Sequence, residues 1–110
     1  MEVSARGLAK MHNLRYTPFF NRDLDEAIFY IANTLNNPQA AERLLTETEK
    51  AILKRLENPL AFEPYHSKKI RKDTYYRIYV GNYTIFYVVT GNIMEVRRFI
   101  YSKRDFDRLL

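Results

Sequence analysis

Between Phe62 and Asp73 the chain reads FEPYHSKKIRKD, and Lys68, Lys69, Arg71 and Lys72 place four positive charges within five residues, beside Tyr65, His66, Tyr75 and Tyr76. Cations that neutralise phosphate, together with rings on which bases stack, form the usual grip on single-stranded RNA. A lysine-rich loop entering a sheet edge also deters edge-to-edge aggregation, so the residue types admit both roles. A second group lies near the C-terminus, where MEVRRFIYSKRD, residues 94–105, carries Arg97, Arg98, Tyr101, Lys103 and Arg104. Arg77 stands between the two groups, in YYRIYV.

These types contain the parts of a metal-independent ribonuclease whose nucleophile is the RNA's own 2′-hydroxyl. Such an enzyme needs a base, a stabiliser for the charge of the pentavalent phosphate, and an acid for the leaving oxygen. Glu63 or His66 suits the first role, Arg77 or Arg104 the second, and Lys68, Lys69 or Tyr101 the third. Lys103 joins Lys68, Lys69, Arg71 and Lys72 as a phosphate contact. Composition permits this mechanism without selecting it. Other chemistries lack their residues. Cysteine is absent, which removes disulfides, thiolate catalysis and the usual structural zinc sites. His12 and His66 form no ligand cluster, and no glycine-rich phosphate loop, His-Glu metal motif or Ser-His-Asp arrangement is present. A cytosolic protein with no metal and no cofactor is the expectation.

The elements that must position these groups follow from periodicity. NLRYTPFF alternates and stops at Pro18, which reads as a short first strand. Leu24, Ile28, Ile31 and Leu35 then give one apolar helical stripe, with Asn21, Asp23, Asp25 and Glu26 suited to the helix N-terminus. Asn37 caps a second helix and Pro38 fits its first turn; Ala41, Leu44, Leu45, Thr48, Ile52 and Leu56 carry its stripe. So short a connection makes the pair an antiparallel αα-hairpin. After Pro59 the period becomes two. YYRIYV and YTIFYVV flank Gly81-Asn82, a type II′ hairpin turn, and IMEVRRFIY follows Gly91-Asn92. SKRDFDRLL closes the sequence as a charged turn or short helix. The expected fold is α+β, in the order β-α-α-β-β-β, a twisted antiparallel sheet with the αα-hairpin on one face.

Alternation makes a specific demand on this sheet. Arg77 shares a face with Tyr75 and Tyr79, away from the helices, and Arg97 and Arg98 diverge to opposite faces. One of the pair can join Arg77; the other must reach an acid, a backbone carbonyl or the sheet rim, and Glu95 or Asp105 could pair with it.

Charge is segregated along the chain. Residues 1–64 hold 8 Lys and Arg against 9 Asp and Glu, whereas residues 65–110 hold 10 against 4, so the whole excess of +5 belongs to the C-terminal portion. That asymmetry suggests an anionic partner, nucleic acid or an acidic protein segment. With 46% hydrophobic and 15% aromatic residues the chain is expected to fold, as one domain over residues 13–110; residues 1–12 are read as an extension outside the core. No run reaches the roughly 18 apolar residues of a membrane span, and MEVSARGLAK lacks the apolar stretch of a signal peptide.

YYRIYVGNYTIFYVV, followed by a turn and MEVRRFIYSKRDFDRLL and preceded by the αα-hairpin, resembles the RelE/ParE superfamily of toxins from bacterial type II toxin-antitoxin modules. The resemblance spans roughly residues 14–110. It implies a helical hairpin against an antiparallel sheet, and a cognate antitoxin, often acidic and encoded alongside, that neutralises the toxin in a hetero-oligomer. It also implies one of two targets: RelE-like members cleave mRNA on the ribosome as endoribonucleases, and ParE-like members poison DNA gyrase. Arg104 matches a late family arginine, and Glu63 before Pro64 resembles a proline-flanked glutamate that acts as a base in one nuclease subgroup. Thr84 stands where RelE-like toxins carry a catalytic arginine, and the ending DRLL replaces their terminal tyrosine or His-Tyr pair. The expectation is a toxin that arrests growth by ribosome-dependent mRNA cleavage, with gyrase inhibition as the alternative.

Overall fold

The computed structural model describes residues 12–110, so the extension inferred for residues 1–12 lies, apart from His12, outside the described residues. Strand β1 (Asn13–Tyr16) leads into helix α1 (Pro18–Phe29), which opens into a π-helical turn over Tyr30–Thr34. Helix α2 (Pro38–Leu56), strands β2 (Tyr76–Val80), β3 (Tyr83–Thr90) and β4 (Ile93–Tyr101), and a short helix α3 (Phe106–Leu109) follow. The α+β order is the expected one.

The sheet runs β1-β4-β3-β2. Strands β2, β3 and β4 form the antiparallel meander, with Val80 paired to Tyr83 across Gly81, whose φ is 56°. Only glycine adopts that backbone without strain. β1 joins β4 in parallel, Leu14 against Met94, which makes the sheet mixed rather than antiparallel throughout. Parallel neighbours need a crossover rather than a tight turn; here the chain crosses from β1 to β2 at the far edge through the helical hairpin and returns to β4 through the meander.

Helix α1 begins a turn earlier than the charges around Asn21 suggest. The Thr17 hydroxyl accepts from the Phe20 N–H (3.1 Å) and donates to the Arg97 carbonyl (2.9 Å). Pro18, which ends the strand, occupies the first helical turn, where its missing N–H costs nothing. Thr17 thus caps the helix and fastens it to β4. The π turn, closed by Leu35 N–H to the Tyr30 carbonyl (2.9 Å), shifts the phase of the apolar stripe, and Leu35 ends exposed. Asn37 caps α2 as expected, accepting from the Ala40 N–H at 3.1 Å.

The helices bury one face of the sheet around Phe20, Ala27, Ile52, Ile78, Ile85, Tyr87, Val96 and Phe99. Arg55 pins α2 to the strands, donating to the Arg77 carbonyl and the Tyr87 hydroxyl, each at 2.9 Å, while Tyr87 donates to the Pro59 carbonyl at 2.7 Å. Thr84, Phe86 and Val88, which alternate with Ile85 and Tyr87 along β3, are also buried. The opposite face is therefore covered too, by residues 65–75 and α3. Phe86 is its centre, with the rings of Phe106, Tyr65 and Tyr75 at 4.8, 5.5 and 6.4 Å, edge to face.

Val96 and Phe99 both lie in the helical-face core, three residues apart. A β-bulge accounts for the spacing: Phe86 pairs with Arg98 and Tyr87 with Val96, leaving Arg97 as the extra residue. The strict alternation expected to send Arg97 and Arg98 to opposite faces is broken at that point.

Candidate functional site

The basic loop is built on a carboxylate. Asp107, at the start of α3, accepts from the Tyr65 hydroxyl (2.7 Å), the Ser67 hydroxyl (2.7 Å) and the Lys68 N–H (2.9 Å). Those bonds, in that order of strength, and then Arg71, hold its carboxyl far below the usual carboxylate range against the opposing effect of burial. The reciprocal effect falls on Tyr65, whose phenol is pushed up to about 12 by burial first and by donation to Asp107 second. Arg71 completes the knot. Its Nε donates to Ser67 Oγ (2.8 Å), Nη1 to the Leu110 carbonyl (3.1 Å) and Nη2 to the Asp107 carbonyl (2.9 Å).

Of the four loop cations, Arg71 therefore turns inward, its side chain 15% exposed, while Lys68, Lys69 and Lys72 face solvent. Lys103 is likewise exposed, beyond the end of β4. Among the described residues none of these four lysines forms an ion pair. Glu63 and His66 meet on the open side of the same loop, carboxylate to Nε2 at 2.9 Å, both well exposed. Arg77 stays on this face, as alternation requires, its guanidinium 5.2 Å from the Tyr65 ring centre and 5.7 Å from that of Tyr79.

Tyr101 and Arg104 lie elsewhere. They line an open cleft of about 570 Å³ between α1 and the end of β4, with Arg22, Glu26, Tyr30 and Tyr83. The Tyr101 ring meets Tyr83 edge to face at 5.7 Å, and Tyr83 packs on the helical-face core. The structure thus gathers Glu63, His66, Arg77, Lys68, Lys69 and Lys72 on one side of the sheet, and sets Tyr101 and Arg104 on the other.

Arg97 and Arg98 are both committed to acids. Arg97 donates to Glu95 (2.7 Å), Asp73 (3.0 Å) and the Tyr75 hydroxyl (3.1 Å). Burial opposes its charge, but these bonds outweigh it and raise its pKa. Arg98 grips Asp23 of α1 at 2.6 Å and also the Leu109 carbonyl, and Asp23 accepts from the Phe99 N–H at 3.0 Å. Neither arginine joins Arg77; Glu95 is a partner as expected, and Asp105 is not. Thr84 is wholly buried, its hydroxyl 2.8 Å from that of Ser102. Ser67 and Asp107, which shape the loop, escape sequence reasoning because they meet across 40 residues; Tyr65, named as a stacking ring, turns out to be a donor to Asp107. Among the described residues no cluster of three or more potential metal ligands exists, and no helix is long and apolar enough to cross a membrane.

Comparison with known proteins agrees with this architecture. A chain of the chromosomal ParDE toxin-antitoxin system from P. aeruginosa superposes with a TM-score of 0.65 at 16% identity, covering 86% of this chain and 99% of its own. A chain of the E. coli DinJ-YafQ toxin-antitoxin complex gives 0.55 at 11% identity, over 83% and 92%. These likenesses establish the shared fold. A search among curated proteins finds no match. The family model for the ParE toxin of the type II toxin-antitoxin system parDE matches residues 14–106, and with nearly the whole fold inside that match the chain belongs to this toxin family.

Proposed function

We propose that this toxin arrests growth as a non-catalytic inhibitor of DNA gyrase, the alternative reading of the sequence rather than the mRNA cleavage it first suggests. The observation that carries this is the separation of candidate groups. An acid, a base and a charge stabiliser must converge within hydrogen-bonding reach of one phosphate. Here Tyr101 and Arg104 are divided by the sheet from Glu63, His66 and Arg77. Thr84, at the place of the family's catalytic arginine, is buried with Ser102. The ParE family match supports the same reading. The toxin acts in the cytoplasm and is held inactive by a cognate antitoxin, encoded alongside, in a hetero-oligomer. The excess positive charge of residues 65–110 favours an acidic antitoxin segment that orders on binding.

One observation favours the second reading, ribosome-dependent mRNA cleavage: the Glu63–His66 pair at 2.9 Å beside Lys68 and Lys69. Induction without the antitoxin separates the two. Gyrase inhibition gives an SOS response, gyrase-DNA cleavage complexes and intact mRNA; prompt loss of pulse-labelled translation with cut mRNA would overturn it.

A further inference from the structure

At the tip of the basic loop stands a residue that neither reading uses. Ile70 has a relative accessibility of 105%, the highest of the exposed large apolar side chains. It lies between Lys69 and Arg71, with Lys68 and Lys72 one position further out. The loop beneath it is fastened on both sides. Lys68 N–H is bound by Asp107 (2.9 Å) and Lys69 N–H by Ser67 Oγ (3.1 Å), and after the tip Arg71 Nε returns to the same Ser67 Oγ (2.8 Å). A fastened loop loses little conformational freedom when it binds.

We propose that this loop docks into a groove of double-stranded DNA, with Ile70 as an apolar wedge against a base step and Lys68, Lys69 and Lys72 on the flanking phosphates. The inference takes its setting from the gyrase reading, because gyrase holds a duplex. Three features select the partner. The three lysines lack acidic partners among the described residues, so they suit a polyanion. Ile70 projects fully exposed from the loop, an apolar point that a groove between two phosphate backbones can receive. Apolar side chains inserted from the minor groove beside Lys and Arg are a means by which proteins partly unstack a DNA base step; the minor groove of double-stranded RNA is wide and shallow and gives such a wedge less to fill.

The test uses the full chain and a short labelled duplex carrying 2-aminopurine, with gyrase supercoiling assayed in parallel. Binding should weaken steeply with salt, and 2-aminopurine fluorescence should rise as the step unstacks. Ile70→Ser, at a fully exposed position, should keep the circular dichroism spectrum and melting temperature, lower affinity about tenfold and abolish the fluorescence rise. Replacing Lys68, Lys69 and Lys72 by Gln should reduce the salt slope by about 0.9 per lysine. Gyrase inhibition with no duplex binding would overturn the inference and leave the gyrase reading standing. Duplex binding with the fluorescence rise but no gyrase inhibition would support the inference and reject that reading. Tighter binding to single-stranded RNA, to phosphatidylglycerol vesicles or to a poly-glutamate peptide would overturn the inference, as would unchanged affinity of Ile70→Ser.

Discussion

The two faces of the sheet are covered by different physics. On the helical face, α1 and α2 bury Phe20, Ile52, Ile85, Val96 and Phe99 with few polar groups, and the stabilising term is removal of apolar area from water. On the loop face a smaller aromatic cluster around Phe86 sits beneath a polar knot of Tyr65, Ser67, Arg71 and Asp107. Non-directional burial on the first face tolerates changes of pH. Directional bonds to one ionised carboxylate on the second fix a loop in place but bind its order to protonation. The face that carries the exposed lysines is thus the face whose geometry is set by hydrogen bonds.

The contrast can be broken most forcefully at the two cores. Phe86→Ala should cost about 3–5 kcal/mol and Ile52→Ala about 2–5 kcal/mol in urea unfolding. The two should differ in what else they loosen. Hydrogen exchange should rise at Lys68 and Lys69 in the Phe86 variant and remain near wild type there in the Ile52 variant; equal loosening of the loop in both would dissolve the distinction between the faces.

Asp107→Asn comes next. Because the native carboxyl titrates far below its unfolded value, the stability it contributes is complete above about pH 3.9 and is lost as pH falls from there towards the native pKa. The difference in melting temperature between wild type and this variant should therefore be largest at neutral pH and shrink in acid. A difference independent of pH would show that Asp107 acts only through packing.

Tyr65→Phe probes the same knot from the alkaline side with a smaller effect. A native pKa of about 12 means that its contribution is intact below about pH 10 and is lost between about pH 10 and the native value. Wild type and variant should converge in that interval, followed by near-ultraviolet circular dichroism. The smallest structural effect belongs to Arg104→Ala, outside both layers: melting temperature unchanged, toxicity on induction reduced. Undiminished toxicity would show that Arg104 makes no contact the toxin needs for its target.

Much of the helical face is legible in the sequence, because a 3.6-residue stripe on two helices and a two-residue alternation on the strands are local signals. The loop face is only half legible. YTIFYVV is apolar at both parities, which marks β3 as buried on both sides, but nothing local says that α3 and residues 65–75 supply the second cover. The parallel pairing of β1 is similarly remote, with Arg15 meeting Glu95 across 80 residues. The lysines are legible from residue type, as are Glu63 and His66, the latter two as alternative bases rather than as a pair; Asp107, which arranges the loop that carries them, is not, since an aspartate near a basic C-terminus has no distinctive sequence context. The start of α1 at Thr17 was legible in principle, as a threonine before a proline is a cap signal, but the acidic residues around Asn21 competed with it.

The bulge at Arg97 also bears on how the chain can change length. In a regular strand one residue added or lost inverts every side chain beyond it, exchanging core for surface. Here the extra residue is already absorbed, since Val96 and Phe99 keep the same side with two residues between them. Loss of Arg97 would leave Phe99 two positions from Val96, the ordinary spacing for neighbours on one face, so β4 has at this point a place where an insertion or deletion need not turn the sheet inside out.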